Sequence, residues 1–254
     1  MFDDVGLPIQ KKCVVAFIDL LGVSHKIEVG SQWALDWVWL FYKSITEEIK
    51  QHENVKFKIF SDNILICKEI DEDNPKQCVL EIIEVLDKIE ELMFTAKALF
   101  IRGAVVVDDL HFSDNFVYGK ALVRAYELEN KYAVYPRVVI DNSALELVND
   151  EKLPIVQDKD GLYFYDYIQF CIIENKEEWL KKIRTFKFNV LLNIRGNLTN
   201  ASVLNKMEWA VNYYNDNCIR HNIKYVITYE DLKECGVNVS DIHIVPNLGG
   251  NCKL

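Results

Sequence analysis

Two aspartates are the residues of this chain best placed to do chemistry. Asp19 closes an apolar run in VVAFIDLLGVSHK, and Asp62 sits in the short turn of KIFSDNILI. An ionised carboxylate at the end of a buried strand must be solvated, paired or metal-bound. If the strand ending at Asp19 lies beside the hairpin carrying Asp62, both carboxylates project from one edge of a sheet. Together they form a hard, oxygen-rich site suited to Mg2+ or Mn2+. Without a cation such a pair is costly, because like charges repel. Each acid also has a plainer reading, since a turn aspartate commonly serves only the turn. The residues DLLGVS after the run offer successive backbone N–H groups at a helix start, a cradle for phosphate oxygens. Lys58 precedes Asp62 on the hairpin. Arg102 lies in the otherwise apolar FIRGAV, where a buried guanidinium needs an anionic partner, either a structural acid or an anionic ligand.

These residues need elements to position them. CVVAFIDL is a continuous apolar run of strand length, as in a strand covered on both faces. Trp33, Trp37, Phe41 and Ile45 recur at four-residue steps, so about residues 31–51 form an amphipathic helix whose aromatic stripe is core. VKFKIF and NILICKEI flank SDN as a β-hairpin with Asp62 at its tip. Val79, Ile82, Ile83, Leu86 and Ile89 mark a second helix over about 74–97. ALFIRGAVVV reads as a strand, DDLHFSDN as a loop, FVYG as a short strand, KALVRAYELENKYA as a helix and YPRVVID as a strand. Strands and helices interleave to about residue 145, an α/β pattern of the α+β, ferredoxin-like kind. Residues 1–145 are thus expected to form a core, and 146–254 a mostly helical extension packed on it, with helices over about 176–195 and 201–222 and a weakly structured tail.

The balance of 29 bases against 39 acids, net −10, argues against a nucleic-acid partner. An anionic substrate stays compatible, because metal ions supply local positive charge. Seven cysteines without a CxxC pair read as buried free thiols in a reducing compartment, not as a zinc site. There is no signal-peptide pattern and no apolar run long enough to span a membrane, so a cytoplasmic protein is expected.

The order of FIDLLGVS, KIFSDNILI and IRGAVVVDDLHFSDNFVYGKALVRAYELE resembles the catalytic core of class III nucleotidyl cyclases over about residues 11–141. Within that family, the RGA, YGKAL, RAYELE and YPRVVID segments look most like the pyrimidine cyclases of bacterial anti-phage Pycsar systems. The resemblance implies two ions, Mn2+ or Mg2+, held by Asp19, Asp62 and the carbonyl of Leu20. It implies that Gly22, Val23 and Ser24 form the turn facing the terminal phosphates. It places Phe17 near the nucleotide, and Lys58 and Phe116 at positions that read the base. It further implies a nucleoside triphosphate substrate, a homodimer with shared active sites, and cyclic UMP or cyclic CMP as a signal in antiviral defence.

The chain also departs from that pattern. Counted from Gly119, the family's transition-state asparagine and arginine fall at Val123 and Glu127, and the base-reading acid of adenylyl cyclases falls at Phe116. The adenine-selective pair is therefore broken. Lys120, Arg124 and Arg102 are the nearby cations that could supply the missing charge. Lys120 and Arg124 share one helical face, where a solvated pair beside Glu127 is the plainer reading. Adenylate or guanylate cyclase activity, or a cyclase-like nucleotide sensor without activity, are the alternatives.

Overall fold

Strand β1 (Lys11–Leu20) is buried from Cys13 through Leu20 on both faces, as its unbroken apolar sequence requires. In this computed structural model, residues 1–23, 28, 30, 32–97, 99–148, 153–170, 176–238 and 240–245 are described. Helix α1 (Gln32–Ile49) follows, then β2 (Lys56–Phe60), β3 (Asn63–Glu69) and α2 (Pro75–Lys97). Next come β4 (Ile101–Phe112), β5 (Val117–Tyr118), α3 (Lys120–Lys131), β6 (Val138–Ile140) and α4 (Asn142–Val148). The remaining elements are β7 (Ile155–Gln157), β8 (Tyr163–Tyr165), α5 (Tyr167–Phe170), α6 (Lys176–Arg195), α7 (Ala201–Arg220) and α8 (Tyr229–Glu234).

The chain divides into two units, one of residues 1–89 and 101–153, the other of 90–100 and 154–253. In the first, the strands lie in the order β2-β3-β1-β4-β6. The pairs β2–β3, β3–β1 and β1–β4 are antiparallel, and β6 runs parallel to β4. The β1-α1-β2-β3-α2-β4 succession with β1 and β3 inside is a ferredoxin-like arrangement. One core face gathers Cys13, Val15 and Phe17 with Leu65, Val106 and Phe112, roofed by Ala121 and Ala125 of α3. Small residues let α3 lie close on β4 and β1. A Cβ at Gly119 would come within 2.3 Å of the Asp109 carbonyl oxygen, and its φ of 149° also favours glycine. Phe41 and Ile45 of α1 are buried, in keeping with a core stripe, whereas the side chains of Trp33 and Trp37 lie outside those described.

One expectation is corrected. DDLHF is not a loop but the second half of β4, which continues to Phe112. The reason is the length of β1. Lys11, Lys12 and Cys13 require ladder partners, and Leu110, Asp109 and Asp108 supply them, with Lys12 directly opposite Asp109.

In the second unit β7 and β8 form a hairpin, and α6 and α7 pack together with Trp179, Phe186, Val190, Tyr213 and Tyr214 buried. Asp166, fully buried, accepts a hydrogen bond from the Tyr213 hydroxyl at 2.5 Å and pairs with Arg220 at 3.3 Å. Burial and the Asp166 charge hold the Tyr213 phenol well above the ordinary tyrosine range. No helix among the described residues is long and apolar enough to cross a membrane.

Candidate active site

The hairpin of β2 and β3 turns through Ser61 and Asp62, with Phe60 opposite Asn63 and a positive φ of 59° at Ser61. A positive φ at the first turn residue matches the right-handed twist of the flanking strands. This tight turn seats Asp62 at the end of the ladder in which Asp19 stands opposite Asn63. The Leu20 N–H donates to the Asp62 carbonyl oxygen at 3.1 Å, closing the ladder. Asp19 and Asp62 are thus brought to one end of the sheet, only 6% and 7% exposed. The Asn63 amide donates to Asp62 Oδ1 at 3.4 Å.

Arg102 is opposite Asp19 on the other neighbouring strand, β4. Its Nε donates to Asp19 Oδ2 at 2.8 Å, and its Nη2 lies 2.7 Å from Oε1 of Glu129. The guanidinium therefore has two acidic partners within the chain. Glu129 is a site residue that the motif reading passed over. Its signal was nevertheless present: Ala121, Ala125 and Glu129 recur on one face of α3, and an acid on a face of small buried residues needs a cation.

Beyond Leu20 the chain turns. The Val23 N–H donates to the Leu20 carbonyl at 3.4 Å, the Val23 side chain is core, and Gly22 is exposed with φ 84° and open space around it. Ser24 lies outside the described residues. Phe17 is a core residue in edge-to-face contact with Tyr126.

A second group forms around the loop after β4. Lys58 donates to the carbonyls of Ser113 and Asp114 at 3.0 and 2.8 Å. The Ser113 hydroxyl donates to the Phe116 carbonyl at 3.0 Å, and the half-exposed Phe116 ring stacks on His111 at 4.6 Å. Lys58 thus pins the loop that carries Phe116. A third group is Arg124 with Asp141, 2.8 Å apart, at the cap of α4, where Asp141 also accepts from the Ser143 N–H. Lys120 is exposed at the start of α3, and Val123 and Glu127 face outward on the same helix.

The donor chemistry at the first group fits a hard divalent cation. Asp19 and Asp62 contribute buried carboxylates at one end of the sheet, and the Leu20 carbonyl follows Asp19 in the chain. Among the described residues no three His, Cys, Asp or Glu side chains are grouped to hold a metal ion. Any ion held here would therefore rest on two carboxylates and on carbonyl, water or substrate oxygens. Mg2+ commonly binds this way.

No protein-family profile matches the chain, and no curated protein matches it. Solved structures do. The adenylyl cyclase CyaB from P. aeruginosa is similar with a TM-score of 0.51 at 15% identity, over 67% of this chain and 97% of that one. The monomeric guanylyl cyclase domain of the RhoGC fusion protein from the aquatic fungus Blastocladiella emersonii is similar at 0.48 and 15% identity, over 62% and 95%. At such identity the likeness is one of fold. The mixed sheet with its helices has the fold of a class III cyclase catalytic core, and a helical C-terminal region follows it.

Proposed function

We propose that the chain is a class III nucleotidyl cyclase, a metal-dependent enzyme that converts UTP or CTP to the cyclic monophosphate and pyrophosphate. The observation that carries this reading is the placement of Asp19 and Asp62 at one sheet end, in a cyclase-core fold. In the reaction the ribose 3′-oxygen would attack the α-phosphorus, forming the new P–O bond as pyrophosphate leaves and the hydroxyl proton passes to solvent. Bound Mg2+ or Mn2+ would supply Lewis-acid stabilisation of the phosphate charge. Asp19 and Asp62 would hold it. Exposed Gly22 leaves room for phosphate oxygens at the turn. Phe116 at its position, in place of a base-reading acid, supports a pyrimidine over adenine. Lys58 acts on the base site by fixing the Phe116 loop. Two copies of the chain would complete each site. Residues 146–254 would serve as an extension of the core. The resemblance to Pycsar enzymes extends this to a cytoplasmic signal made during phage infection.

One observation favours a second reading, a cyclase-fold nucleotide sensor without turnover. Arg124, a candidate to replace the missing transition-state charge, is engaged with Asp141, and Val123 and Glu127 stand where the family's asparagine and arginine belong. A single assay separates the readings. The protein is incubated with each of the four labelled nucleoside triphosphates and Mn2+, beside Asp62→Ala. Cyclic UMP or cyclic CMP that disappears in the variant is the expected result. Cyclic product from a purine triphosphate alone would remove the pyrimidine assignment. Nucleotide binding without product from any of the four would leave the sensor.

A further inference from the structure

Arg102 stands between two acids of different standing. Asp19 lies at the open end of the sheet, beside Asp62 and the Leu20–Val23 turn. Glu129, 2% exposed, comes from the buried face of α3. Two carboxylates, Asp19 and Glu129, share the Arg102 guanidinium, and Asp62 lies at the same end of the sheet as Asp19. Glu129 is not gathered with Asp19 and Asp62 into a three-acid cluster; it meets Asp19 only through the guanidinium.

We propose that Glu129 is a positioning residue that controls, through Arg102, whether Asp19 is available to a divalent cation. Without a cation, Arg102 neutralises Asp19 from one side of its guanidinium while Glu129 holds the other. When Asp19 is engaged by a cation, two positive groups would compete for one carboxylate, and Glu129 keeps the guanidinium charge-paired as it moves off Asp19. The chain thus carries its own stand-in for the cation and a place to put it. This inference rests on the divalent-cation reading of Asp19 and Asp62.

The test is Mn2+ binding alone, by titration calorimetry on the full chain without nucleotide, with thermal unfolding measured in parallel. In wild type, binding should occur and should be lost in Asp62→Asn. Glu129→Gln, which keeps shape but removes charge, should weaken Mn2+ binding about tenfold. Glu129→Asp, which keeps the charge, should stay nearer to wild type. Arg102→Gln should bind Mn2+ at least as tightly as wild type, and in that background Glu129→Gln should have much less effect. A Glu129→Gln protein that melts earlier but binds Mn2+ as wild type does would overturn the proposal and leave the cation reading intact, as would an equal effect in both backgrounds. Wild-type protein that fails to bind Mn2+, or Asp62→Asn that binds it unchanged, would remove the cation reading and this proposal with it. Should Glu129→Gln fail to fold, Arg102→Gln carries the test, and weakened Mn2+ binding in that variant would overturn the proposal.

Discussion

The Leu20 N–H and the Asp62 carbonyl oxygen are joined at 3.1 Å, and this one backbone bond locks the hairpin tip against the end of β1. The side chain of Asp62 takes no part in it. It accepts instead from the Asn63 side-chain amide at 3.4 Å.

Replacing Asp62 by Asn should accordingly leave the fold intact. Its melting temperature without metal should stay close to that of wild type, because the Leu20–Asp62 backbone bond is kept and an Asn oxygen can still accept from Asn63. Mn2+ affinity and any cyclase turnover should fall roughly a hundredfold or more. Melting curves and product formation measured on one preparation check both halves.

Gly119→Ala should act in the opposite sense, on the fold. The added Cβ would meet the Asp109 carbonyl at 2.3 Å, a contact with backbone that no rotamer change relieves. Because α3 sits directly on β4 and β1, we expect a loss of about 2 kcal/mol or more in denaturant unfolding. Gly22→Ala, where nothing lies within 4 Å, should cost only the strain of a φ of 84°, roughly 1 kcal/mol.

The sequence made some of this visible and hid the rest for physical reasons. The unbroken apolar run of β1 and the periodic apolar stripes of α1 and α2 announce themselves, and the order of elements follows from them. The far half of β4 did not, because Asp108 and Asp109 look like loop residues until Lys12 is placed opposite Asp109. A cross-strand partner is a tertiary fact, and local propensity gives way to it. Arg102 could be read as needing an acid, but which acid depended on the register that sets it opposite Asp19 and on the helical face that brings in Glu129. Arg124 gave no hint of Asp141 for the same reason.

Thiol reactivity should follow burial. Burial, with the nearby Glu69 charge adding to it, pushes the Cys13 thiol up to about 12, and burial also raises Cys67 well above its ordinary value. At pH 8 both should remain thiols, and so be inert to iodoacetamide in the native protein. Half-buried Cys235 should be alkylated faster. Peptide mapping after timed alkylation, with and without denaturant, reads this directly, and rapid native labelling of Cys13 would contradict the packing of β1.

The start of α8 should confer acid sensitivity on the second unit. Burial alone would raise the Asp231 carboxyl, but hydrogen bonds from Lys187 and from the Thr228 backbone and hydroxyl outweigh it and hold the carboxyl below its ordinary value. A carboxyl lowered in the folded state stabilises the fold above its unfolded pKa, and this stabilisation is lost as pH falls through the folded pKa. Asp231→Asn should therefore cost about 1 kcal/mol at neutral pH. The difference from wild type should shrink as pH falls below about 4. Denaturant melts of both proteins across pH 3–7 test the convergence.

Strand β1 is flanked on both sides by long antiparallel ladders. Its amides should be among the slowest of the chain to exchange with deuterium. The acid at its end is therefore anchored to the part of the fold least tolerant of change, while the Phe116 loop that Lys58 pins lies on the surface. Under the proposed function, variation there would retune which base is accepted without disturbing the carboxylates. Selectivity and chemistry would then be free to diverge at different rates.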